Sequence, residues 1–213
     1  MSYFDPNAVY FGLSNLHVVP FSDTSTATAP VWSNTVIAIP GAVNFGPTAD
    51  NSEMDFFADN IKYFSTFQNN GFSGTLELAK IPADFLIAIY RYIVDEKGVL
   101  ISTAGVGYRN YAIMFEVQGN VAPVRMVWYN CSSGLPTIPY QTMEENSDPS
   151  TQSLEISIAP VRFSDKTTAT FAQCPANAAS PETMAVYNAW FDGVYHPSIA
   201  SSLGDTPPAG EGD

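Results

Sequence analysis

The side chains best suited to chemistry are few in this chain, and none stands in a recognisable catalytic pattern. His17 and His196 are the only histidines, and Cys131 and Cys174 are the only cysteines. A histidine close to Cys131 could activate it as a nucleophile, but the residues next to Cys131 supply no such base. We therefore expect both thiols to be buried, inert and reduced, and both histidines to have packing roles.

Acidic residues are more numerous, and their densest cluster is Glu144, Glu145 and Asp148. Carboxylates in such a group can bind Ca²⁺ or act as an acid–base pair. Their spacing matches no calcium-loop pattern, so we interpret them as part of a solvated loop. Gly71 and Gly74 do not precede a helix in the way that phosphate-binding glycines do. The sequence therefore predicts a protein that is not an enzyme and that has no metal or cofactor.

The composition indicates a surface that is partly hidden by partners. Charged residues make up only 14% of the 213 residues, and aromatic residues make up 13%, whereas about 25% charge is usual in soluble proteins. Because large exposed apolar patches are unfavourable in water, we expect contacts with other copies of the chain. A monomer coated by Ser, Thr, Asn and Gly is the alternative.

The net charge of −13 is unevenly distributed along the chain. Residues 1–61 contain six acids and no base, and the segment after Lys166 contains five acids and no base. Clustered Lys and Arg, which grip duplex DNA, are missing, so specific DNA binding is not expected. An acidic wall would nevertheless suit a conduit for DNA, because phosphates find no binding site on it.

Nothing in the sequence predicts export or insertion into a membrane. The first residues, Met1–Pro6, have neither the basic nor the apolar segment of a secretory signal. The longest apolar run in the first half, Phe85–Tyr90, is far shorter than the roughly 20 residues of a membrane helix. We expect a protein that is made and kept soluble.

The segment from Asp55 to Leu78 predicts three strands joined by two tight turns. Asp59-Asn60 and Asn69-Asn70-Gly71 both tolerate the positive φ of a hairpin turn. After the second turn an apolar set alternates with a polar set, as in a half-buried strand. The apolar set is Phe72, Leu76 and Leu78, and the polar set is Ser73, Thr75 and Glu77.

The remaining pattern is mainly that of strands and loops. A helix is expected from Pro82 to about Val94, and a second one from the N-cap Ser180 to about Phe191. The polar stretch Ser132–Ser150 contains three prolines and is interpreted as a protruding arm. Further strands are expected at Tyr10–Val19, Val31–Ile39, Ala42–Phe45, Tyr111–Val117, Val121–Tyr129 and Leu154–Val161, with Thr48–Ser52 as a loop.

These elements predict a mainly β protein, a β-sandwich or barrel flanked by one or two α-helices. The length favours a single domain over residues 1–197. Residues 198–213 are rich in Ser, Gly, Pro and Asp and are expected to form a disordered tail.

The order and spacing of several segments resemble those of bacteriophage major tail proteins, the tail tube subunits of phages with long non-contractile tails. The resemblance extends roughly from Ala8 to Tyr195. The segments that carry it are Asp55–Leu86, Phe115–Val117, Val127–Cys131, Thr142–Asn146, Ser153–Pro160, Tyr187–Phe191 and Val194-Tyr195. It implies the tail tube fold, a β-sandwich or barrel with flanking helices and long protruding loops.

The resemblance also implies a function. Such subunits are structural virion proteins of siphovirus tails that self-assemble into hexameric rings, and the rings stack into a hollow tube. The tube surrounds the tape measure protein during assembly in the bacterial host cytoplasm, and double-stranded DNA later passes through it without specific binding. Tail terminator and tail tip proteins would contact its ends, and no membrane is involved.

In this interpretation, sheet edges and hairpins continue from one subunit to the next and so remove exposed edges. The turn residues Asn60, Asn70 and Gly71 are candidates for ring contacts. The candidates for the lumen are acids on or beside the hairpins: Glu53, Asp55, Asp59 and Glu77. Contacts between stacked rings are expected from the N-terminal segment and from the arm, at Pro136, Tyr140, Glu144 and Glu145.

Three other functions stay open at this point. A carbohydrate-binding or adhesion module of a phage tail tip could use exposed Trp and Tyr beside acids, and Trp32, Trp128 and Trp190 could serve. A pilus or surface-adhesion subunit would share the composition but normally carries an export signal. A tube subunit of a contractile or secretion system is closest in kind to the tail tube interpretation.

Overall fold

The structure is a computed structural model that describes residues 9–26, 29–58, 60–140, 150–163, 167–177 and 180–197, without the side chains of residues 57 and 58. Within these residues the chain forms thirteen strands and two short helices. The strands are β1 (Tyr10–Pro20), β2 (Ile37–Ala38), β3 (Ala42–Phe45), β4 (Thr48–Ala58), β5 (Ile61–Leu78), β6 (Ile93–Val94), β7 (Leu100–Ile101), β8 (Tyr111–Gly119), β9 (Val124–Ser133), β10 (Gln152–Ile158), β11 (Val161–Arg162), β12 (Thr168–Ala169) and β13 (Phe171–Pro175). The helices are α1 (Ala83–Tyr90) and α2 (Pro181–Asn188).

Nine of the strands form one antiparallel sheet, which confirms the predicted mainly β class with two helices. Its strand order is β2-β1-β8-β9-β10-β5-β3, with β4 added to β5 and β13 added to β9. The two ends of this order, β2 and β3, are consecutive in the chain and only residues 39–41 separate them. The N–H of Ile39 donates to the Leu16 carbonyl of β1, and the N–H of Ala79 donates to the Gly41 carbonyl, both at 2.8 Å. The sheet is therefore curved so that the chain itself joins its two ends.

Both faces of the central strands are buried, because the sheet separates two apolar cores. Along β8, Tyr111, Ile113 and Phe115 belong to an inner core, whereas Ala112 and Met114 belong to an outer core. The inner core also contains Leu76, Leu78, Leu154, Ile156 and Ile158 from β5 and β10, and Phe85 and Ile89 from α1. The outer core contains Trp32, Val127, Tyr129, Phe163, Cys174, Tyr187 and Trp190. The alternation predicted for β10 and for the second half of β5 is confirmed by this burial.

The helix α1 is shorter than predicted, because the chain leaves the helical conformation at Arg91. Arg91 has φ 57° and ψ 38°, and its N–H bonds to the Leu86 carbonyl, which ends the helix after Tyr90. Ile93–Val94, predicted to be helical, instead pairs with Leu100–Ile101. Neither helix in the described residues is long and apolar enough to cross a membrane.

The helix α2 begins as predicted and ends three residues earlier. The Ser180 side chain accepts a hydrogen bond from the Glu182 N–H, with Pro181 as the first helical residue. Arg125 of β9 fastens the helix to the sheet. Its guanidinium carbon lies 4.0 Å from the centroid of the Tyr187 ring, and its Nε donates to Glu116 at 2.8 Å.

Two predictions for the first half of the chain were wrong. The strand expected at Val31–Ile39 is reduced to Ile37–Ala38, since Trp32 turns into the outer core and pairs with Phe21. The loop expected at Thr48–Ser52 is the beginning of β4, which pairs with β5 along its whole length.

The second predicted turn, at Asn69-Asn70-Gly71, is also wrong, because β5 continues through it as one strand. The residue pairs Ala49–Phe72 and Asn51–Asn69 bracket an extra residue in β5, which is a β-bulge. Gly71 has φ +124°, and a Cβ atom there would lie 2.6 Å from the Ile158 carbonyl oxygen. The positive φ that suggested a reversal of the chain produces a bend within a strand instead.

Replacing Gly71 by Ala is expected to destabilise the fold. The new methyl group would be strained at this φ and would collide with backbone that is fixed in β10, so the free energy of unfolding should fall by about 2 to 3 kcal/mol. Urea denaturation followed by tryptophan fluorescence would measure it. Gly107→Ala is the control, because a Cβ atom there meets nothing within 4 Å. Equal stability of the two variants would contradict the packing described for Gly71.

Candidate self-association surface

The hairpin made by β4 and the first half of β5 extends away from the two cores. Its strands pair from Asn51–Asn69 to Ala58–Ile61, so residues 59 and 60 connect them. Every described residue from 50 to 56 and from 60 to 70 is exposed, which means that no layer covers either face. The eight residues of β4 from Asn51 to Ala58 give a ribbon about 26 Å long at roughly 3.3 Å per residue.

One face of this ribbon is apolar. Phe56 is paired with Phe64, and Met54 with Thr66, so these side chains lie on the same face. Met54, Phe56 and Phe64 are 60%, 59% and 56% exposed. Exposed apolar groups this close together are typical of contact surfaces.

The opposite face carries charge and one exposed aromatic side chain, Phe67, which is paired with Glu53 and is 71% exposed. Lys62 Nζ lies 2.6 Å from Glu53 Oε1 and 2.8 Å from Asp55 Oδ1, and the Ser65 hydroxyl donates to Glu53 at 3.0 Å. The hydrogen bond from Lys62 lowers the pKa of the Asp55 carboxyl. Hydrogen bonds to Asp55 and Glu53 raise the pKa of Lys62. The predicted lumen residues Glu53 and Asp55 are thus brought together, but around a lysine that neutralises one of the two charges.

Glu77, the third described lumen candidate, lies elsewhere. It is in the second half of β5, paired with Ser153 of β10, on the side of the sheet away from the inner core. On this side the Thr75 hydroxyl donates to Glu155 at 2.9 Å, and the Ser73 hydroxyl donates to Asp50 at 3.0 Å. A shallow groove of about 400 Å³ runs along it, lined by Ser73, Ser132, Ser133, Gly134, Glu155, Ile156 and Ser157. Asp59 lies outside the described residues.

The predicted ring-contact residues have three different positions. Asn60 is in the connection between β4 and β5 and has φ 64°, which confirms the first predicted turn. Asn70 lies within β5, and its side-chain amide donates to the Ser52 hydroxyl at 3.1 Å on the apolar side of the ribbon. Gly71 is at the bulge where the ribbon leaves the sheet. Only Asn60 is near the free end of the hairpin.

The predicted inter-ring arm is only partly described. It begins after β9, and Thr137 pairs with Ser153, so Pro136 is held close to the sheet. Tyr140 is 90% exposed, which suits a contact with another molecule. Glu144 and Glu145 lie outside the described residues, as does the predicted tail 198–213.

The residues considered for chemistry do not come together. Cys131 is fully buried in the inner core, and burial raises the pKa of its thiol. His17 points to the other side of the sheet, where its ring centroid lies 4.7 Å from that of Phe191. Cys174 is buried in the outer core, and both cysteines are free. Among the described residues, no group of His, Cys, Asp and Glu could hold a metal ion.

The three tryptophans are buried, with at most 8% of the surface of each exposed. Trp32 and Trp190 belong to the outer core, and Trp128 belongs to the inner core. None of them can act as an exposed stacking platform for a sugar ring. This position disfavours the carbohydrate-binding alternative.

The predicted site residues on the β4–β5 hairpin were acids and turn residues, and they did not include its apolar face. Met54 and Phe56 alternate before the Asp59-Asn60 turn, and Phe64 follows it. An alternation of apolar residues on both sides of a hairpin turn predicts one apolar face, so the signal was present in the sequence. A second exposed apolar ribbon is formed by Ile93, Val94, Val99, Leu100 and Ile101 in β6, β7 and the turn between them. Its second strand was indicated by the apolar run Val99-Leu100-Ile101, whereas its first strand was predicted to be helical.

Replacing Lys62 by Met is expected to raise the pKa of Asp55, because its main hydrogen-bond donor is lost while Glu53 remains nearby. In the unaltered chain the ion pair with Lys62 lowers the pKa of Asp55 and is lost only as the pH falls through that lowered pKa. Without Lys62, Asp55 takes up its proton at a higher pH. A carboxyl-detected NMR titration of dispersed protein would measure this change. Lys97→Met, which removes a lysine outside the hairpin, is the control. An unchanged Asp55 pKa in Lys62→Met would contradict the cluster.

No protein-family model matches this chain, and no curated protein matches its sequence. A function therefore has to be inferred from the exposed surface of the β4–β5 hairpin and from the sequence itself.

Proposed function

We propose that this chain is a self-assembling structural subunit, the tail tube protein of a phage with a long non-contractile tail. The observation that carries the proposal is the β4–β5 hairpin, which has an apolar face and no covering layer. The resemblance in motif order supplies the more specific identity. The assembled form would consist of stacked hexameric rings in the virion tail.

The hairpin is an unfavourable structure for an isolated molecule. A two-stranded ribbon is marginal in water without a third strand or a packed face. Two strand edges of the hairpin pair with no strand among the described residues. They are the outer edge of β4 and, along residues 61–70, the edge of β5 that faces away from β4. Such long unpaired edges recruit strands of other molecules. A second copy of the chain would cover the apolar face and pair with an edge at the same time.

Covering the apolar face would contribute free energy to assembly. Full burial of a Phe or Met side chain contributes roughly 1.5 to 3 kcal/mol. Because Met54, Phe56 and Phe64 are 60%, 59% and 56% exposed, covering them would contribute roughly 3 to 5 kcal/mol per hairpin, before the cost of association. In a closed ring the same contact repeats in every subunit, so a modest pairwise affinity yields a stable polymer.

The bore of the proposed tube is best supplied by the polar side of β5 and β10. Asp50, Glu77 and Glu155 lie on or beside this side, and its other residues from the two strands are Ser73, Thr75, Ser153 and Ser157. The hairpin acids Glu53 and Asp55 suit the bore less well, because Lys62 neutralises part of their charge. An acidic, hydroxyl-rich wall lets phosphates pass without a binding site.

The remaining partners in this proposal come from the family resemblance. The tube would enclose the tape measure protein during assembly in the host cytoplasm and would later conduct double-stranded DNA. Tail terminator and tail tip proteins would bind its two ends. The proposal assigns the protein no catalytic role.

Negative-stain electron microscopy and sedimentation velocity of the purified full chain test the proposal. We expect tubes or rings of uniform width from the unaltered chain. Phe64→Asp places a charge on the apolar face and should raise the concentration needed for assembly by at least about tenfold, since covering this 56% exposed ring is worth about 0.8 to 1.7 kcal/mol and a carboxylate in its place adds a desolvation cost. Ser65→Asp adds the same charge to the opposite face of the same strand and should still assemble.

Two outcomes would count against separate parts of the proposal. If the unaltered chain stays monomeric at every concentration and salt, it is not a tube subunit. If Phe64→Asp assembles as readily as Ser65→Asp, the chain self-associates through some surface other than the apolar face.

A further inference from the structure

The hairpin made by β6 and β7 carries a second exposed apolar surface. Ile93 pairs with Ile101, and Val94 pairs with Leu100, so each face of this β6–β7 hairpin has a pair of apolar side chains. Ile93, Val94 and Val99 are 54%, 53% and 55% exposed. Like the apolar face of the β4–β5 hairpin, this is a surface of the kind that contacts another molecule.

The turn of the β6–β7 hairpin is fixed by its own hydrogen bonds. The Asp95 carboxylate accepts from the N–H of Lys97 at 2.9 Å and from the N–H of Val99 at 2.7 Å. The Asp95 N–H donates to the Val99 carbonyl at 3.0 Å. A surface that already has its bound shape loses little conformational freedom when a partner binds. The β6–β7 hairpin therefore suits a contact between two preformed surfaces.

The β4–β5 hairpin lies beyond one end of the strands of the sheet. A row of paired residues crosses the sheet from β1 to β5 through Pro20, Tyr111, Cys131, Ile158 and Phe72. Because four antiparallel pairings connect β1 to β5, these two strands run in the same direction. The β4–β5 hairpin precedes Phe72 in that direction, whereas the chain that follows Pro20 lies on the other side of the row.

The β6–β7 hairpin begins and ends on this other side of the row. Arg91 and Arg109 flank the hairpin in the chain, and the guanidinium groups of both bind Asp23, which is the third residue after Pro20. The base of the β6–β7 hairpin is thereby held next to the end of β1. The molecule presents one exposed apolar hairpin at each of two opposite ends.

The two hairpins also differ in charge. Residues 50–70, which contain the β4–β5 hairpin, include four acids and one base and have a net charge of −3. Residues 91–109, which contain the β6–β7 hairpin, include three bases and two acids and have a net charge of +1, and Asp23 neutralises that excess. Contact between two β4–β5 hairpins would bring like charges together, whereas contact between unlike hairpins avoids this repulsion.

The symmetry of a ring also requires unlike surfaces to meet. A contact between two copies of the same surface has twofold symmetry and ends at a dimer. A contact between two different surfaces repeats from copy to copy and closes as a ring or continues as a filament. An apolar hairpin at each of two ends of the molecule supplies two such surfaces.

We propose that the apolar face of the β4–β5 hairpin in one copy packs against the β6–β7 hairpin of the next copy. Met54, Phe56 and Phe64 would then cover the aliphatic side chains of the β6–β7 hairpin, and both surfaces would leave water together. This inference rests on the proposed function, since it names the part of the second copy that covers the apolar face.

Sedimentation velocity of two full-length variants, alone and mixed, tests this contact. Phe64→Asp blocks the β4–β5 surface and Ile93→Asp blocks the β6–β7 surface, so each variant alone should need at least about tenfold more protein to assemble. An equimolar mixture still contains one intact pair of surfaces. It should form a species of twice the monomer mass at a concentration where neither variant does so alone. Ala104→Asp adds the same charge at an exposed position after β7 and should assemble like the unaltered chain.

Cross-linking between single-cysteine variants measures the same contact and leaves the apolar side chains in place. Thr66→Cys is on the apolar face of the β4–β5 hairpin, and Ser102→Cys follows β7. Both positions are exposed, whereas the native thiols of Cys131 and Cys174 are buried. A flexible bismaleimide should join the two variants when they are mixed during assembly. Neither variant should cross-link to itself.

The outcomes separate this contact from self-assembly in general. If Ile93→Asp assembles as readily as Ala104→Asp, or if Thr66→Cys cross-links to itself, the contact with the β6–β7 hairpin is overturned while self-assembly stands. If the unaltered chain does not assemble at any concentration, both the contact and the proposed function are overturned.

Discussion

The β4–β5 hairpin is a two-stranded ribbon, and a two-stranded ribbon cannot bury its own faces. The β4–β5 hairpin presents Met54, Phe56 and Phe64 on one face and an acidic pair around Lys62 on the other. Within a single molecule, nothing in the described residues shields the apolar face from water. Covering by another molecule would stabilise a surface of this kind, and we propose that this molecule is a second copy of the chain.

The body of the protein holds the ribbon through a single strand. The second half of β5 lies between β10 and β3 in the sheet, and its first half forms one side of the ribbon. At the junction, Phe72 packs against Trp128 with ring centroids 5.0 Å apart. Gly74 lies under the chain between β3 and β4, where a Cβ atom would be 2.8 Å from the Gly46 carbonyl oxygen. These contacts fix the direction in which the ribbon leaves the body, so the apolar face would have the same orientation in every copy.

Much of the fold follows from local patterns in the sequence. Strict alternation identified β10 and the buried half of β5, and the Ser180-Pro181 pair identified the start of α2. The errors arose where one local signal has two structural uses. Asn69-Asn70-Gly71 permits a positive φ, which serves a turn or a bulge equally well, and only the pairing with β4 and β10 decides between them. The end of α1 likewise depends on the left-handed conformation of Arg91, which no residue type at that position signals.

The candidate surface was less predictable than the fold, since exposure is a property of the whole molecule. Phe56 and Phe64 alternate as core residues would, and only the absence of a facing layer among the described residues makes them a contact surface. The acids chosen for the lumen were identified by their charge and by their position on or beside the predicted hairpins, and neither reveals that Lys62 lies between Glu53 and Asp55. Arg91 and Arg109 both form ion pairs with Asp23, and proximity between residues so far apart in the sequence has no local signature.

We propose that a second copy of the chain covers the β4–β5 hairpin. Hydrogen–deuterium exchange of the full chain, followed by mass spectrometry over a range of protein concentrations, tests it most directly. We expect the amides of residues 50–70 to exchange rapidly at low concentration and to become protected as the chain self-associates. Their gain in protection should exceed that of any other exposed segment. Self-association that leaves these amides as unprotected as in the dispersed chain would contradict it.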